Sequence, residues 1–193
     1  MKKSSFNKGV VFTAFIALVF FGNSAYIHLK AEFSQVLIYK SWENLLKDGN
    51  TTDAKPWSWA DTYPVAKISF KKNNIEMYVL SSTSGEALSF GPGHYINTPL
   101  PAENGDSVIA GHRDTHFEFL KDVEIGDVFE VQNYKRTKAN YEIKEIKIID
   151  STNKSIKLDN TQNRLQLITC YPFDAVNSGG PLRYVVFADR VDF

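Results

Sequence analysis

The chain is poor in cysteine, with a single one, Cys170, among 193 residues. One thiol forms no internal disulfide, which excludes a disulfide-stapled miniprotein, and a chain of this length buries a core without such staples. Repeats and low-complexity tracts are missing as well. At 43% hydrophobic and 23% charged residues the composition is globular, neither a disordered tail nor a fibre. Net charge is also lacking, since 22 basic side chains balance 22 acidic ones. That balance hides a split. Residues 1–30 hold four lysines and no acid, leaving 18 basic against 22 acidic side chains in the rest. An acidic body argues against nucleic-acid binding, and a basic stub in front of it points to a membrane.

Long hydrophobic runs are scarce, and the one present lies at the start. Lys2, Lys3 and Lys8 precede a run over 10–22 in which Thr13 is the only polar residue, and it continues less purely to Ile27. Counted through Leu29, the run approaches the about 20 residues that a bilayer core requires, with the lysines on the cytoplasmic side. Asn23-Ser24-Ala25 matches a signal-peptide cleavage site poorly. Residues 1–29 are therefore expected to be an uncleaved membrane anchor with a basic cytoplasmic flank, and the acidic body to lie outside the cytoplasm.

Leu29, Phe33, Leu37, Ile38, Trp42, Leu45 and Leu46 then recur at steps of mostly three and four, the mark of one apolar helix face. Lys47-Asp48-Gly49-Asn50 ends the pattern, so residues 30–55 are expected to be an amphipathic helix and linker packed on its own domain. Trp57 and Trp59 are expected in the core.

From Val65 the period changes to two. Val65 to Phe70 and Ile75 to Leu80, joined by Lys72-Asn73-Asn74, predict a hairpin. Further strands are expected at 107–110, 127–134, 141–150, 164–170 and 184–188. Turn clusters are expected at Gly91-Pro92-Gly93, Glu103 to Asp106, Ile125 to Asp127 and Ser178 to Pro181. Only Thr115 to Lys121 looks briefly helical. Seven or so short strands with almost no helix between them predict an all-β, closed or nearly closed barrel over residues 56–193.

Cys170 ends an apolar strand, where a scaffold presents reactive groups and where strand pairing is about to stop. A nucleophilic thiol needs a partner that takes its proton, and histidine has the fitting pKa. Of the four histidines, His28 belongs to the anchor, and His94, His112 and His116 remain. His112 follows Val108-Ile109-Ala110-Gly111, again a strand end, with Gly111 leaving room for close approach. His112 and His116 would share a metal only if 113–115 were helical. No third ligand is evident, and Arg113 would repel a cation, so no metal is expected. Arg183 stands thirteen positions after Cys170, at the start of the next strand. If the two strands are neighbours, its guanidinium meets the thiol at one rim, where a cation stabilises an oxyanion.

Gly91-Pro92-Gly93-His94-Tyr95, Val108 to Thr115, Ile125-Gly126-Asp127 and Thr169-Cys170-Tyr171-Pro172-Phe173, with Leu167-Ile168 before Cys170 and Arg183 after it, occur in the order found in the sortases. The chain resembles that family, membrane-anchored cysteine transpeptidases on an eight-stranded β-barrel, from about Val65 to the carboxyl end. The segment Trp57 to Thr62 followed by Pro64-Val65-Ala66 resembles the Gram-negative, marine-proteobacterial branch, class GN.

The resemblance implies that Cys170 attacks the threonine carbonyl of a Leu-Pro-x-Thr-Gly-like carboxyl-terminal sorting signal and forms a thioacyl enzyme. It makes His112 the general acid and then base, and Arg183 the oxyanion holder. It places Thr169, Gly111, His94 and Tyr171 about the substrate. The partners it implies are a secreted protein bearing that signal and an amine acceptor, with no cofactor, and the location is the inner membrane with the barrel facing the periplasm. Gln166 departs from the threonine of many members, Glu103 and Asp106 lack the further oxygen ligands of a calcium site, and Leu100-Pro101-Ala102-Glu103 is read as a loop. Two other readings stay open on residues alone: a cysteine peptidase, in which water resolves the acyl enzyme, and a non-catalytic membrane-tethered barrel that binds peptide or glycan.

Overall fold

The computed structural model describes residues 8–152, 158, 162–175 and 179–191. It divides into two compact units, residues 1–36 and 37–193. A single helix, α1 (Lys8–Asp48), runs through the boundary. Within the first unit, Val10, Phe12, Phe15, Leu18, Phe20 and Phe21 are exposed. Lys2 and Lys3 lie outside the described residues. The expectation of a membrane-spanning helix finds no support: among the described residues no helix is long and apolar enough to cross a membrane. The side chains of residues 23–28, through which the apolar run continues in the sequence, lie outside the described residues.

In the second unit, the last part of α1 lays Ile38, Trp42 and Leu45 onto the barrel, all three buried. Trp42 meets Tyr78 with ring centroids 5.8 Å apart, and Ile38 clusters with Leu80 and Ala87. The helix ends where the Gly49 N–H donates to Leu45 O at 2.9 Å. Arg136 Nε donates to Leu46 O at 3.0 Å, satisfying a carbonyl left over in the last turn. Ser41 Oγ donates to Ala54 O and ties the following segment back to the helix.

The strands are β1 (Pro64–Phe70), β2 (Ile75–Leu80), β3 (Gly93–His94), β4 (Ser107–Ala110), β5 (Val128–Asn133), β6 (Lys138–Asp150), β7 (Arg164–Cys170) and β8 (Leu182–Val191). They close into a barrel in the order β1-β2-β3-β4-β7-β8-β6-β5. β2 with β3 and β4 with β7 pair in parallel, and every other pair is antiparallel. Alternation fills the interior: Ile68, Phe70, Val131, Ile109, Leu165, Leu167, Val186 and Ala188 are all buried in one core. Phe70 stacks on Phe129 at 4.3 Å in its midst.

The strand expectations hold with small boundary shifts, and the structure adds two elements. A short helix, α2 (Gly85–Phe90), is capped by Ser84, whose side chain accepts from Ala87 N–H. β3 falls on what reads as a turn. Around Thr115 to Lys121 the chain forms a turn over 113–117 and then a 3₁₀ helix, Glu118–Asp122. Trp57 packs edge-on against Phe90 at 4.8 Å, whereas Trp59 is 78% exposed and not in the core.

Candidate active site

Cys170 is the last residue of β7, and its register partner across the antiparallel pair is Arg183 of β8. Register partners project to the same face. Leu165 and Leu167 point into the core, so alternation places Cys170, with Gln166 and Ile168, on the outer face, and Arg183 joins it there with Val185 and Phe187. Cys170 is half-buried. Arg183 Nη1 donates to Gly180 O at 2.7 Å and to Leu182 O at 2.9 Å, anchoring the guanidinium to the backbone of its own turn. Five N–H donors sit on that fork, so a group held through Nη1 still has others to present.

On the other flank β4 runs parallel to β7, with Ala110 beside Ile168. The Gly111 N–H donates to Ile168 O at 3.0 Å, and Thr169 Oγ1 donates to Gly111 O at 2.7 Å. His112 is thus the second residue beyond β4, next after Gly111, as Cys170 is the last of β7, and the sheet delivers both to one rim. His112 is exposed, and its carbonyl accepts from Phe117 N–H at 2.9 Å, closing the wide turn that follows. Inside that turn the Phe117 ring lies against Gly111: a Cβ on Gly111 would sit 2.8 Å from the ring. The room that Gly111 leaves is taken by this aromatic ring.

The other residues expected about the substrate fall in different settings. Thr169 is buried, with its hydroxyl spent on Gly111 O. Tyr171 sits beyond Cys170, its N–H donating to Leu182 O at 3.1 Å and its ring stacked 6.2 Å from Tyr184. Phe173 meets Tyr184 edge-on at 5.1 Å, and both rings pack against the barrel core. His94 is 6% exposed, and its Nε2 bonds Pro99 O at 3.0 Å and Thr98 Oγ1 at 3.1 Å; it staples the loop after β3. Burial holds the His94 imidazole below the usual histidine range, against the opposing pull of the Pro99 carbonyl. His116 is also pushed down, first by burial and then by the charge His112 carries when protonated. The segment between the two histidines is a turn, not a helix. Among the described residues no three His, Cys, Asp or Glu side chains group as a metal site.

The sequence reading passed over Arg113 except as a neighbour that repels cations. The residue is 9% exposed, and its Nη2 donates to Ala175 O at 2.8 Å in the loop after Cys170. The only sequence signal was its position directly after His112. Tyr184 and Phe173 were also passed over, although Tyr-Pro-Phe directly after the cysteine is an aromatic signal.

A strand-end thiol opposite a guanidinium, flanked by an exposed imidazole, is equipped for acyl transfer. Comparison with known families agrees: residues 68–191 match the sortase domain. This chain belongs to the sortase family. Its curated relatives include sortase D of Bacillus subtilis, 36% identical over 125 residues, which span 64% of this chain and 62% of that sortase. Among solved structures, sortase A from Corynebacterium diphtheriae superposes with a TM-score of 0.61 at 27% identity, covering 70% of this chain and 64% of that one. Sortase C-1 from Actinomyces oris gives 0.58 at 29% identity, covering 69% and 77%. The match therefore spans less than two thirds of the length of the first two sortases.

Proposed function

We propose that the chain is a cysteine transpeptidase. It cleaves a Leu-Pro-x-Thr-Gly-like sorting signal between threonine and glycine, and transfers the protein bearing it to an amine. The observation that carries this reading is the Cys170 and Arg183 register pair with β4 alongside, in a chain of the sortase family. With its proton passed to His112, Cys170 Sγ attacks the threonine carbonyl as the thiolate, and the electron pair of the C=O moves to oxygen. Arg183 donates to that oxyanion. Collapse expels the glycine amine, which takes a proton from His112, and leaves a thioester on Cys170. An incoming amine then gives its proton to His112 and displaces the thiol. Tyr171, Thr169, Gly111 and His94 frame the substrate in this reading, the last three through the backbone they hold.

The test is to incubate the chain with a labelled sorting-signal peptide and a series of amines. An amine-containing product supports transpeptidation, and free acid alone replaces it with a cysteine peptidase. Peptide processing by Cys170→Ala at the parental rate would reject the enzyme reading and favour a binding barrel.

The reading extends to place and branch. Lys2, Lys3 and Lys8 before an apolar helix whose phenylalanines are exposed support attachment to the inner membrane, with the barrel in the periplasm. Attachment predicts that the chain stays with membranes in alkaline carbonate and that protease reaches the barrel once the outer membrane is opened. A soluble cytoplasmic fraction refutes it. The Trp57 to Thr62 segment supports the Gram-negative, marine-proteobacterial branch. The substrate is then a secreted protein with a carboxyl-terminal sorting signal from the same cell.

A further inference from the structure

β4 and β7 fix each other only as far as the Gly111 and Ile168 bond and the Thr169 hydroxyl. Cys170 closes β7, still paired with Arg183, whereas His112 has left the sheet one residue beyond Gly111, where a chain is free to move unless something ties it. Arg113 supplies such a tie. It follows His112 directly, and its Nη2 bonds Ala175 O, five residues past Cys170. The Ala175 N–H in turn donates to Pro172 O at 3.4 Å, so the carbonyl that Arg113 holds belongs to a compact turn at the end of β7. At 9% exposure a charged side chain is costly to bury, and it stays there only when its donors are met. A guanidinium suits the place because it is planar, weakly hydrated and rich in donors.

We infer that Arg113 is a positioning residue: it clasps the turn carrying His112 to the loop following Cys170 and so fixes the imidazole against the thiol. This rests on the proposed roles of His112 and Cys170. A misplacement of about 1 Å between reacting groups costs on the order of 100-fold, so the clasp acts through His112 and not on substrate.

The test uses the single cysteine. The rate at which iodoacetamide alkylates Cys170 at neutral pH is measured in the full chain for the parent, Arg113→Met, His112→Ala and the double variant. His112→Ala is expected to slow alkylation, and Arg113→Met to slow it about 10-fold. In the His112→Ala background Arg113→Met is expected to change the rate less than about twofold, because a residue acting through His112 has nothing left to position. Equal slowing in both backgrounds, or none in the parent, overturns the inference and leaves the proposed function standing. No effect of His112→Ala overturns both. If Arg113→Met fails to fold, Arg113→Gln, which keeps a donor on a shorter neutral stem, is read in the same cycle. With peptide substrate, the inference expects kcat to fall while KM stays within about threefold; a rise in KM alone overturns it.

Discussion

Two glycines next to the site differ in what stands in their way. A Cβ on Gly93 would lie 2.1 Å from the Ser82 carbonyl oxygen and 2.9 Å from its carbon, backbone atoms that cannot rotate aside. A Cβ on Gly111 would meet only the Phe117 ring, which can tilt. Gly93→Ala is therefore expected to cost about 3 kcal/mol or more, and Gly111→Ala about 1–3 kcal/mol, both read from urea unfolding midpoints. The second change also pushes on the turn that carries His112, so its peptide-cleaving rate is expected to fall further than its stability. His94 gives a pH signature of the same local kind. Burial lowers its pKa in the folded chain, so the unfolded chain binds the proton more tightly. The stability it contributes is complete above the ordinary histidine value of about 6.5 and is lost as pH falls from there through the lower folded value. His116, also lowered, adds a term of the same sign. Melting temperature measured between pH 8 and 5 is expected to fall, and His94→Gln to flatten that slope in part; a parental slope in the variant would rule His94 out as a source.

Elements were legible in proportion to their length and period. The stripe through Ile38, Trp42 and Leu45 repeats over several turns, and these side chains are the ones the barrel buries. α2 escaped because six residues carry less than two helical turns, and its one cue is the Ser84 cap. β3 escaped because two residues, one of them a glycine, have no alternation to show, and its pairing with Leu80 and with Ala110 is decided by the tertiary fold. At the site the strand ends were visible as the limits of apolar runs, whereas the neighbours that meet them were not. The adjacency of β7 and β8 follows from barrel closure, the ring of Phe117 reaches Gly111 only through a wide turn, and the Arg113 bond joins residues sixty-two apart in sequence. The docked end of α1 makes its own prediction. Trp42 is 2% exposed and packs on Tyr78, so Trp42→Ala is expected to cost about 3–5 kcal/mol. Arg136→Ala, which loses an exposed bond to the last helical turn, is expected to cost about 1 kcal/mol. Similar losses for the two in chemical unfolding would mean that the helix is held by its end and not by its apolar face.

For the molecule as a whole, the division of α1 between two units decides which fragment carries the fold. The compact unit begins at Leu37, within the helix, and not at the Trp57 to Thr62 segment before β1. Ile38, Trp42 and Leu45 are each at or below 2% exposure, and full burial of a large apolar side chain is worth about 1.5–3 kcal/mol. Together they amount to a large share of the 5–15 kcal/mol, roughly, that holds a domain of this size. A fragment of residues 37–193 therefore keeps what the barrel needs, while one of residues 56–193 uncovers Leu80, Tyr78 and Ala87 on the outside of β2 and α2. Since β2 pairs with β3, and β3 with β4, loosening that face reaches the strand that delivers His112. The longer fragment is expected to unfold in one cooperative transition and to cleave the sorting-signal peptide at the full-chain rate. The shorter one is expected to melt well below it, to bind a hydrophobic dye and to lose most of its cleavage rate at temperatures where the longer is folded. Equal melting temperatures for the two would show that the barrel is complete without the helix, and that the buried face of α1 serves something other than stability.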